Sequence, residues 1–580
     1  MLSPKLAKGR PKSIPKLYIQ EMQSLMIEKT QKNWRAAFYS VAAGAFMLAI
    51  CGSTASAQNG SAYFYPGNLV VSRSVYDNNP NNVQVGMTLP PICTNSCVQA
   101  VVDGTYPFVW NNDAVDASFG VTSKIFLDQI TPSGTPVSSL EVPNSSQKGV
   151  PPTKDQVVTS FSSKSEMALN LSTDGGSLTF MGYLAPIDAI DVSNSNTPSI
   201  FDLSNPVGGS FYRVVAQIDT KGKLRYTATN AYSGNNGRAA ILNNSRGANV
   251  IYTAGNAGNG GNPQPDGIII GAGAQILTPE VKSLVAQSPG IPTPVASFSI
   301  TQLGDSLDKV GKDTNFRGLT IFDNVLYYTK GSGGNGVNTV YFVDPTGTVC
   351  TDSNGVGLPA AGAALPTSAL AYDPNPNTIQ SVGLDPNNMC ILNGFPTALK
   401  SKTSFPFGIW FANATTLYVA DEGNGTTGKT VATFYNPAAL QTTAGLQKWI
   451  LASGKWQLAY TLTDGLDLGT PYTVPGYPSG NNSGTGGTGF PWAPATDGLR
   501  NITGIVNDDG TATIYAITST ISGNGDQGAD PNKLVAITDT LSAVGPSAPS
   551  GERFNTIKTA GFGEVLRGVS FTPGTSAGGR

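Results

Sequence analysis

The hydrophobic and polar positions of the chain form short β-type segments that are separated by turn residues. Aromatic and β-branched residues build strands of six to eight residues, such as VIYTAG (250–255), VLYYTKG (325–331), TLYVADEG (416–423) and TIYAITST (513–520). A Gly-Asn-Gly tripeptide overlaps or closely follows each of these strands. Strands with turn signals throughout a long chain predict one large all-β domain rather than several small ones.

These strands belong to a repeat of four strands, which we interpret as strands A to D of a propeller blade. Each aromatic strand follows a hairpin from another β-rich segment, and a fifth pair at 167–183 matches without the Gly-Asn-Gly. The second half of the unit is a strand, a turn and a strand. Its six copies lie at 124–140, 212–228, 282–298, 340–349, 448–462 and 533–544. Glycine occupies five of the six turns, where a tight hairpin needs a positive φ.

The count of strands predicts how the ring closes. Six C–D units accompany only five A–B pairs, and the missing strands lie at the two ends of the chain. LRGVSF (566–571) matches FRGLTI (316–321) as a strand A, and NLVVSRSVY (68–76) supplies the strand B. We therefore predict an all-β fold, a single six-bladed β-propeller with a split last blade, which removes exposed sheet edges. Seven blades are the alternative, with a further blade within 349–405 or 464–500.

Two segments resemble known propeller repeats. LYVADEGNG (417–425) resembles the NHL-type repeat, and LSTDGGSLTF (171–180) resembles the A–B hairpin of TolB-like repeats. The resemblance implies the architecture of the NHL/TolB-like six-bladed superfamily and implies no particular activity.

The N-terminus predicts export. Basic residues precede the apolar run 36–51, and Ala55-Ser56-Ala57 follows it, which is the order of a secretory signal peptide. We predict a leader and signal peptide at 1–57, and a propeller at 58–580 whose last blade combines 566–571 with 68–142. The predicted location is secreted or periplasmic, with a lipoprotein anchored through Cys51 as the alternative. The mature chain has no further apolar run that is long enough to span a membrane.

Charge and cysteine content narrow the class of partner. The leader carries eight of the 35 basic and two of the 37 acidic residues, which leaves the mature chain with a net charge of −8. A chain with this net negative charge lacks the basic surface that is typical of nucleic-acid-binding proteins. Four cysteines remain after cleavage, and an even count in an exported chain favours disulfides, with Cys93–Cys97 and Cys350–Cys390 as the local pairing.

The long connections and the starts of the A strands locate the candidate site. We expect the connections 77–122, 184–210, 254–280, 349–405 and 464–500 to lie on one face, because all are predicted to join B to C or D to A. On this face the A strands carry Arg238, Arg317, Arg567 and Glu166, with Lys164 and Arg500 nearby. Converging arginines suit an anionic ligand, and their alternative role is to bind carbonyls and acids of adjacent blades.

Other chemistry is limited by the composition. The chain has no histidine, which excludes histidine-dependent triads and metal sites. Acidic residues of the same face could hold Ca²⁺, although the sequence contains no EF-hand loop. We predict no other cofactor. These residues are Asp77, Asp188, Asp191, Asp266, Asp421, Glu422 and Asp526. GNGTTGKT (423–430) matches a P-loop, but a β-branched and aromatic segment follows it instead of a helix, so we expect no nucleotide.

These observations lead to two hypotheses of different class. The first is a monomeric, non-catalytic binding or envelope-surface module whose partner is a small anionic ligand, a glycan or a protein. The second is a hydrolase of carbohydrate or phosphoester that uses carboxylates and Ca²⁺. The sequence contains no recognisable catalytic motif, so whether the protein is an enzyme stays open at this point.

Overall fold

The computed structural model describes residues 63–576 except for several connecting segments. The predicted leader lies outside the described residues, and so does most of segment 423–430. The segments left out within the range are 91–92, 94–96, 113–119, 145–155, 199–204, 206, 257–272, 281–292, 307–314, 332–335, 351–354, 374, 376–383, 400, 402–403 and 425–432.

Six antiparallel sheets form a ring, and the prediction of a six-bladed propeller is confirmed. We number the blades by the order of their A strands in the chain. Strands A, B, C and D are Asn170–Leu171, Ser177–Tyr183, Arg213–Asp219 and Leu224–Thr229 in blade 1; Gly237–Asn243, Val250–Gly255, Ala274–Leu277 and Pro294–Ala296 in blade 2; Gly318–Phe322, Val325–Lys330, Thr339–Val343 and Met389–Leu392 in blade 3; Pro406–Asn413, Thr416–Asp421, Gly445–Ala452 and Lys455–Leu462 in blade 4; Ala495–Val506, Thr511–Ile521, Lys533–Thr540 and Asn555–Thr559 in blade 5; Glu564–Phe571, Leu69–Val75, Thr122–Ile130 and Pro136–Glu141 in blade 6.

Small elements decorate the connections between these strands. They are the paired strands Thr88–Leu89 and Val98–Gln99, the strand Thr159–Ser160 beside strand C of blade 6, the strand Val356–Gly357 parallel to strand D of blade 3, the 3₁₀ turns Phe108–Asn111, Val192–Asn194 and Ile300–Leu303, and the helical turn Asn436–Ala439. Within the described ranges no helix has the length and apolar character needed to cross a membrane.

The split blade closes the ring as the sequence predicts. Strand B at the start of the domain pairs with strand A at its end, and Leu69 lies opposite Phe571. Arg73 holds the junction with a two-pronged contact to Asp128, at 2.7 Å from Nε and 3.0 Å from Nη2, and with a 2.6 Å contact from Nη1 to Glu564. The C-terminal strand is thereby fixed by an ion-pair network as well as by its ladder.

The inner strands explain why the apolar runs lack a solvent-facing side. Every residue of Val325–Lys330 and of Thr416–Asp421 is buried, because a neighbouring blade covers each face of the sheet. The outer strand Asn555–Thr559 is mostly exposed. In blade 5 the exposed outer strand accordingly carries a weak sequence signal.

The A strands approach one another closely around the axis. A Cβ atom built on Gly318, Gly408 or Gly568 would lie 2.4 Å from a carbonyl oxygen of the neighbouring A strand or the residues that lead into it. Only glycine fits at such a separation. Neighbouring A strands are thus packed tightly against one another around the axis.

Three of the six predicted C–D units are wrong in part. In blade 2 strand C is Ala274–Leu277, ahead of segment 282–298, whose first half lies outside the described residues. In blade 3 strand D is Met389–Leu392, all buried, whereas the predicted turn partner 345–349 is largely exposed. In blade 5 strand D is Asn555–Thr559, which is polar and gives little hydrophobic signal.

One long connection consequently belongs to the other face. Most of segment 349–405 joins strand C to strand D of blade 3, and not B to C or D to A. The disulfide Cys350–Cys390 ties the start of this connection to strand D, and Cys93–Cys97 closes the tip of a short loop near the N-terminus. Both predicted disulfides are confirmed.

Candidate functional site

Seven charged residues lie together around one end of the axis, and we call them the axial cluster. Each except Lys164 is at most 5% exposed. They come from strand A or its lead-in, apart from Glu422, which directly follows strand B of blade 4. The members are Lys164, Glu166, Arg238, Arg317, Glu422, Arg500 and Arg567.

A segment of the chain, residues 161–166, crosses this end of the axis and contacts the arginines of blades 3 and 6. Gly528 of blade 5 packs against it so closely that an added Cβ would lie 1.5 Å from the Ser162 carbonyl oxygen. Lys164 Nζ contacts Gln527 Oε1 at 3.2 Å and keeps 22% of its side chain exposed. Lys164 is therefore the member through which the cluster meets solvent.

Arg567 acts as a clamp for this segment. Its Nη1 donates to the Ser163 carbonyl oxygen and its Nη2 to that of Phe161, while Nε donates to Ser74 Oγ at 3.2 Å. Burial lowers the pKa of Arg567 to about 10. All three nitrogens have partners within the chain, so the structural alternative describes this arginine.

Glu166 does not neutralise an arginine directly. Its carboxylate accepts hydrogen bonds from Thr159 Oγ1 at 2.8 Å, from the Ser160 amide at 3.2 Å and from the Tyr183 hydroxyl. Among the described residues it has no ion-pair partner within 4.0 Å. Burial raises the pKa of Glu166 above its ordinary value, although these hydrogen bonds oppose the shift.

Glu422 is the carboxylate on which the cations converge. Lys164 Nζ lies 3.6 Å and Arg500 Nε 3.7 Å from its oxygens, which are ion-pair distances without a hydrogen bond from Arg500. Burial alone would raise the pKa of Glu422, but the positive charges of Lys164, Arg317 and Arg500 hold it below its ordinary value. Sequence reasoning placed Glu422 on this face only as an acidic loop residue. The sequence signal that could have identified Glu422 is its position directly after the apolar strand B of blade 4.

Arg238 and Arg317 keep unsatisfied donors. Arg238 Nη1 donates to the Phe316 carbonyl oxygen at 2.8 Å and Nη2 to Asn236 Oδ1 at 3.3 Å, whereas its Nε is buried without a partner. Arg317 Nη1 donates to Ser165 Oγ at 2.5 Å, and its Nε is also buried without a partner. Burial lowers the pKa of both arginines, and a neighbouring guanidinium adds to the shift in each case.

The guanidinium groups of the axial cluster are not paired one to one with carboxylates. Arg238, Arg317 and Arg567 have no carboxylate within 4.0 Å in the described part of the chain. Three further buried carboxylates, Asp497, Asp526 and Asp530, act electrostatically on Arg500, and Asp526 acts on Arg567 as well. Arg238 and Arg317, whose buried Nε atoms have no partner, are therefore the groups suited to receive an anionic group.

The acidic loop residues do not assemble into a metal centre in the described ranges, where no group of three or more acidic or cysteine side chains lies together. Asp421 accepts hydrogen bonds from the Phe405 and Gly423 amides, both at 3.0 Å, and shapes a turn. Asp77 and Asp188 accept from the same Asn82 amide nitrogen, each at 2.9 Å. Asp266 lies outside the described residues.

Comparison with known proteins identifies no family for this chain. No family model matches the sequence, and no curated protein matches it. Weak likenesses to solved structures include a mutant of the Synechocystis apocarotenoid oxygenase (10% identity, 88% of this chain and 93% of that chain covered, TM-score 0.30), a polysaccharide lyase described as an ulvan lyase (11%, 86% and 96%, 0.27) and Drosophila semaphorin 1a (9%, 83% and 88%, 0.16). Likenesses this weak carry no argument about fold or activity, and the NHL/TolB-like assignment stays a prediction.

Proposed function

We propose that the protein is an exported, non-catalytic binding module whose axial cluster receives an anionic group of its ligand. The observation that carries the proposal is that two buried guanidinium groups, Arg238 and Arg317, each retain a buried Nε without a partner. An unpaired buried donor costs about 1–3 kcal/mol, and more when it is charged. A bound anion would remove that cost, so the cluster would gain more from an anion than exposed arginines do.

The surrounding connections support a role in binding. Segments 77–121 and 184–212 join B to C and 463–494 joins D to A, so all three reach the face on which the axial cluster lies. Loops on a rigid scaffold commonly supply the contacts that select a ligand. Acidic glycans and acidic proteins both present anionic groups to such a face. An exported chain, as the leader predicts, would meet such ligands outside the cytoplasm.

The experiment is a binding survey with the protein purified after export. We expect an acidic oligosaccharide or a simple carboxylate salt to raise the melting temperature at constant ionic strength, because a ligand that binds only the folded state stabilises it. R317M should abolish the shift. The matched control is R246M, which removes the same charge from an exposed turn. A wild-type protein that responds to no anion would refute the proposal.

One observation favours the hydrolase as a second candidate. Burial and the negative charge of Asp77 raise the pKa of Asp188 to about 6, and Asn82 holds both carboxyl groups. A carboxyl group that holds its proton up to about pH 6 could serve as the general acid of a hydrolysis reaction. The test is to assay glycan and phosphoester hydrolysis. Activity that D188N abolishes while R317M keeps it would establish this candidate instead.

A further inference from the structure

The ring-closure junction shows how a partly buried arginine of this protein binds a carboxylate. Arg73 presents its Nε and Nη2 along one edge of the guanidinium, and these atoms lie 2.7 and 3.0 Å from the two oxygens of Asp128. The two parallel contacts match the planar fork of a carboxylate. The junction therefore provides an internal template for an occupied guanidinium edge.

The same edge of Arg317 is unoccupied by protein. Its Nη1 donates to Ser165 Oγ at 2.5 Å, which fixes the plane of the group. Its Nε is buried without a hydrogen bond, and its Nη2 donates to none of the described residues. The side chain is only 5% exposed. Arg317 thus presents a positioned and nearly dry two-donor edge.

The other buried arginines do not offer this edge. Arg567 uses all three nitrogens within the chain, and Arg238 has only its Nε without a partner. Arg500 donates from Nη2 to Ser519 Oγ and to the Gln527 carbonyl oxygen, and its Nε lies beside Glu422. The fork of Arg317 is therefore distinct within the axial cluster.

We propose that the Nε–Nη2 edge of Arg317 binds a carboxylate group of the ligand in a bidentate manner, an assignment that rests on the proposed function. A carboxylate presents two oxygens in one plane, which one guanidinium edge satisfies completely. A sulfate or phosphate carries further oxygens that need donors out of that plane. The charge of Arg317 already acts on Glu422.

The burial of the site also limits the kind of molecule. The cluster meets solvent mainly through Lys164, so it admits an acidic substituent and not the body of a large ligand. A uronic acid sugar presents such a substituent, with the remainder of the glycan left to the surrounding loops. We therefore assign hexuronate-containing glycans as the ligand class.

The test compares matched sugars by calorimetric titration. The probes are sodium glucuronate oligosaccharides, the neutral glucose oligosaccharide of equal length, and its sulfated and phosphorylated forms. We expect the uronate to bind the wild type at least about tenfold more tightly than the sulfated form. R317K keeps the charge but lacks the fork. It should lose about tenfold of the uronate affinity and change the sulfate affinity much less.

The outcomes separate the two proposals. Preference of the wild type for sulfate or phosphate, or unchanged uronate binding in R317K, would overturn the carboxylate assignment and leave the anion-binding function in place. No binding of any anion would overturn both. Should R317K not fold, the Nε–H resonances of ¹⁵N-arginine-labelled wild type decide. Uronate must shift one arginine signal strongly, and failure to shift any would refute the assignment.

Discussion

The buried charged groups at the interface of blades 4 and 5 all have partners, whereas several of those in the axial cluster do not. At the interface, Lys448 Nζ contacts Asp539 at 2.8 Å, the Tyr460 hydroxyl at 2.9 Å and the Thr540 carbonyl oxygen at 2.7 Å. Asp539 also accepts from the hydroxyls of Tyr418 and Tyr460. Both charged side chains are fully buried, and each has an opposite charge and hydroxyl partners. This network joins two blades and leaves nothing for a ligand to satisfy.

The axial cluster buries its charges almost as deeply but leaves several donors unmatched. Burial of charge alone therefore does not indicate a binding site in this protein. The number of donors and acceptors that remain unpaired distinguishes a structural network from a receptive one. The following predictions test this distinction.

The largest loss of stability is expected from breaking the interface network. K448M leaves Asp539 buried without its cation, which should cost about 3–5 kcal/mol of unfolding free energy. The double variant K448M/D539L removes both charges and should recover most of the loss. Urea unfolding with intact disulfides measures both changes. A single variant as stable as the wild type would show that the pair is not a structural element.

A change in stability of similar size is expected from the titration of Asp530, an acid close to the axial cluster. Asp530 accepts from the Tyr477 and Ser522 hydroxyls, both at 2.7 Å, and burial raises its pKa to about 7. Because the folded-state pKa lies above the unfolded value, the stability that is present below about pH 4 is lost as the pH rises towards 7. The loss is on the order of 4 kcal/mol at 1.36 kcal/mol for each unit.

The variant D530N should remove this dependence. Asparagine keeps an oxygen for the two hydroxyls and does not ionise. The melting temperature of D530N should therefore fall less between pH 4 and pH 7 than that of the wild type. Melting curves across this range provide the measurement. Parallel pH profiles of the two proteins would contradict a raised pKa at Asp530.

A smaller effect separates two buried arginines. Arg213 donates to the carbonyl oxygens of Asn235, Phe211, Ser193 and Ser195, and R213M should cost about 3 kcal/mol because these acceptors lose their donor. R317M should change stability by less than about 1 kcal/mol, since Arg317 donates a single hydrogen bond, to Ser165 Oγ, among the described residues. Equal losses in the two variants would make Arg317 a clamp like Arg213.

The sequence predicted the ring and its closure because the four-strand pattern recurs along the chain. Strand A of the split blade was found by its match to 316–321, and Arg317 and Arg567 occupy the same place in those two segments. Strand D of blade 5 was missed because its outward-facing NTIKT lacks an apolar pattern. Strand D of blade 3 was missed because a long connection separates it from strand C.

The hydrogen-bond partners of the arginines could not be predicted from the sequence, for a different reason. Segment 161–166 belongs to no repeat, yet it crosses the axis and determines that Arg567 is satisfied while Arg317 bonds through Nη1 alone. Likewise, the Glu166 carboxylate accepts from Tyr183 and Thr159, which lie on other segments, and not from an arginine. Which donors remain unpaired depends on contacts between residues far apart in the chain, and a repeat pattern does not encode them.

The most direct test of the central claim is a crystal structure of the wild type soaked in bromide, with anomalous scattering used to locate the ions. Bromide reports an anion site regardless of the natural ligand. The account predicts an anomalous peak within about 3.5 Å of Arg317 Nε and none beside Arg213 or Lys448. Bromide confined to exposed lysines and arginines, with no peak in the axial cluster, would contradict it.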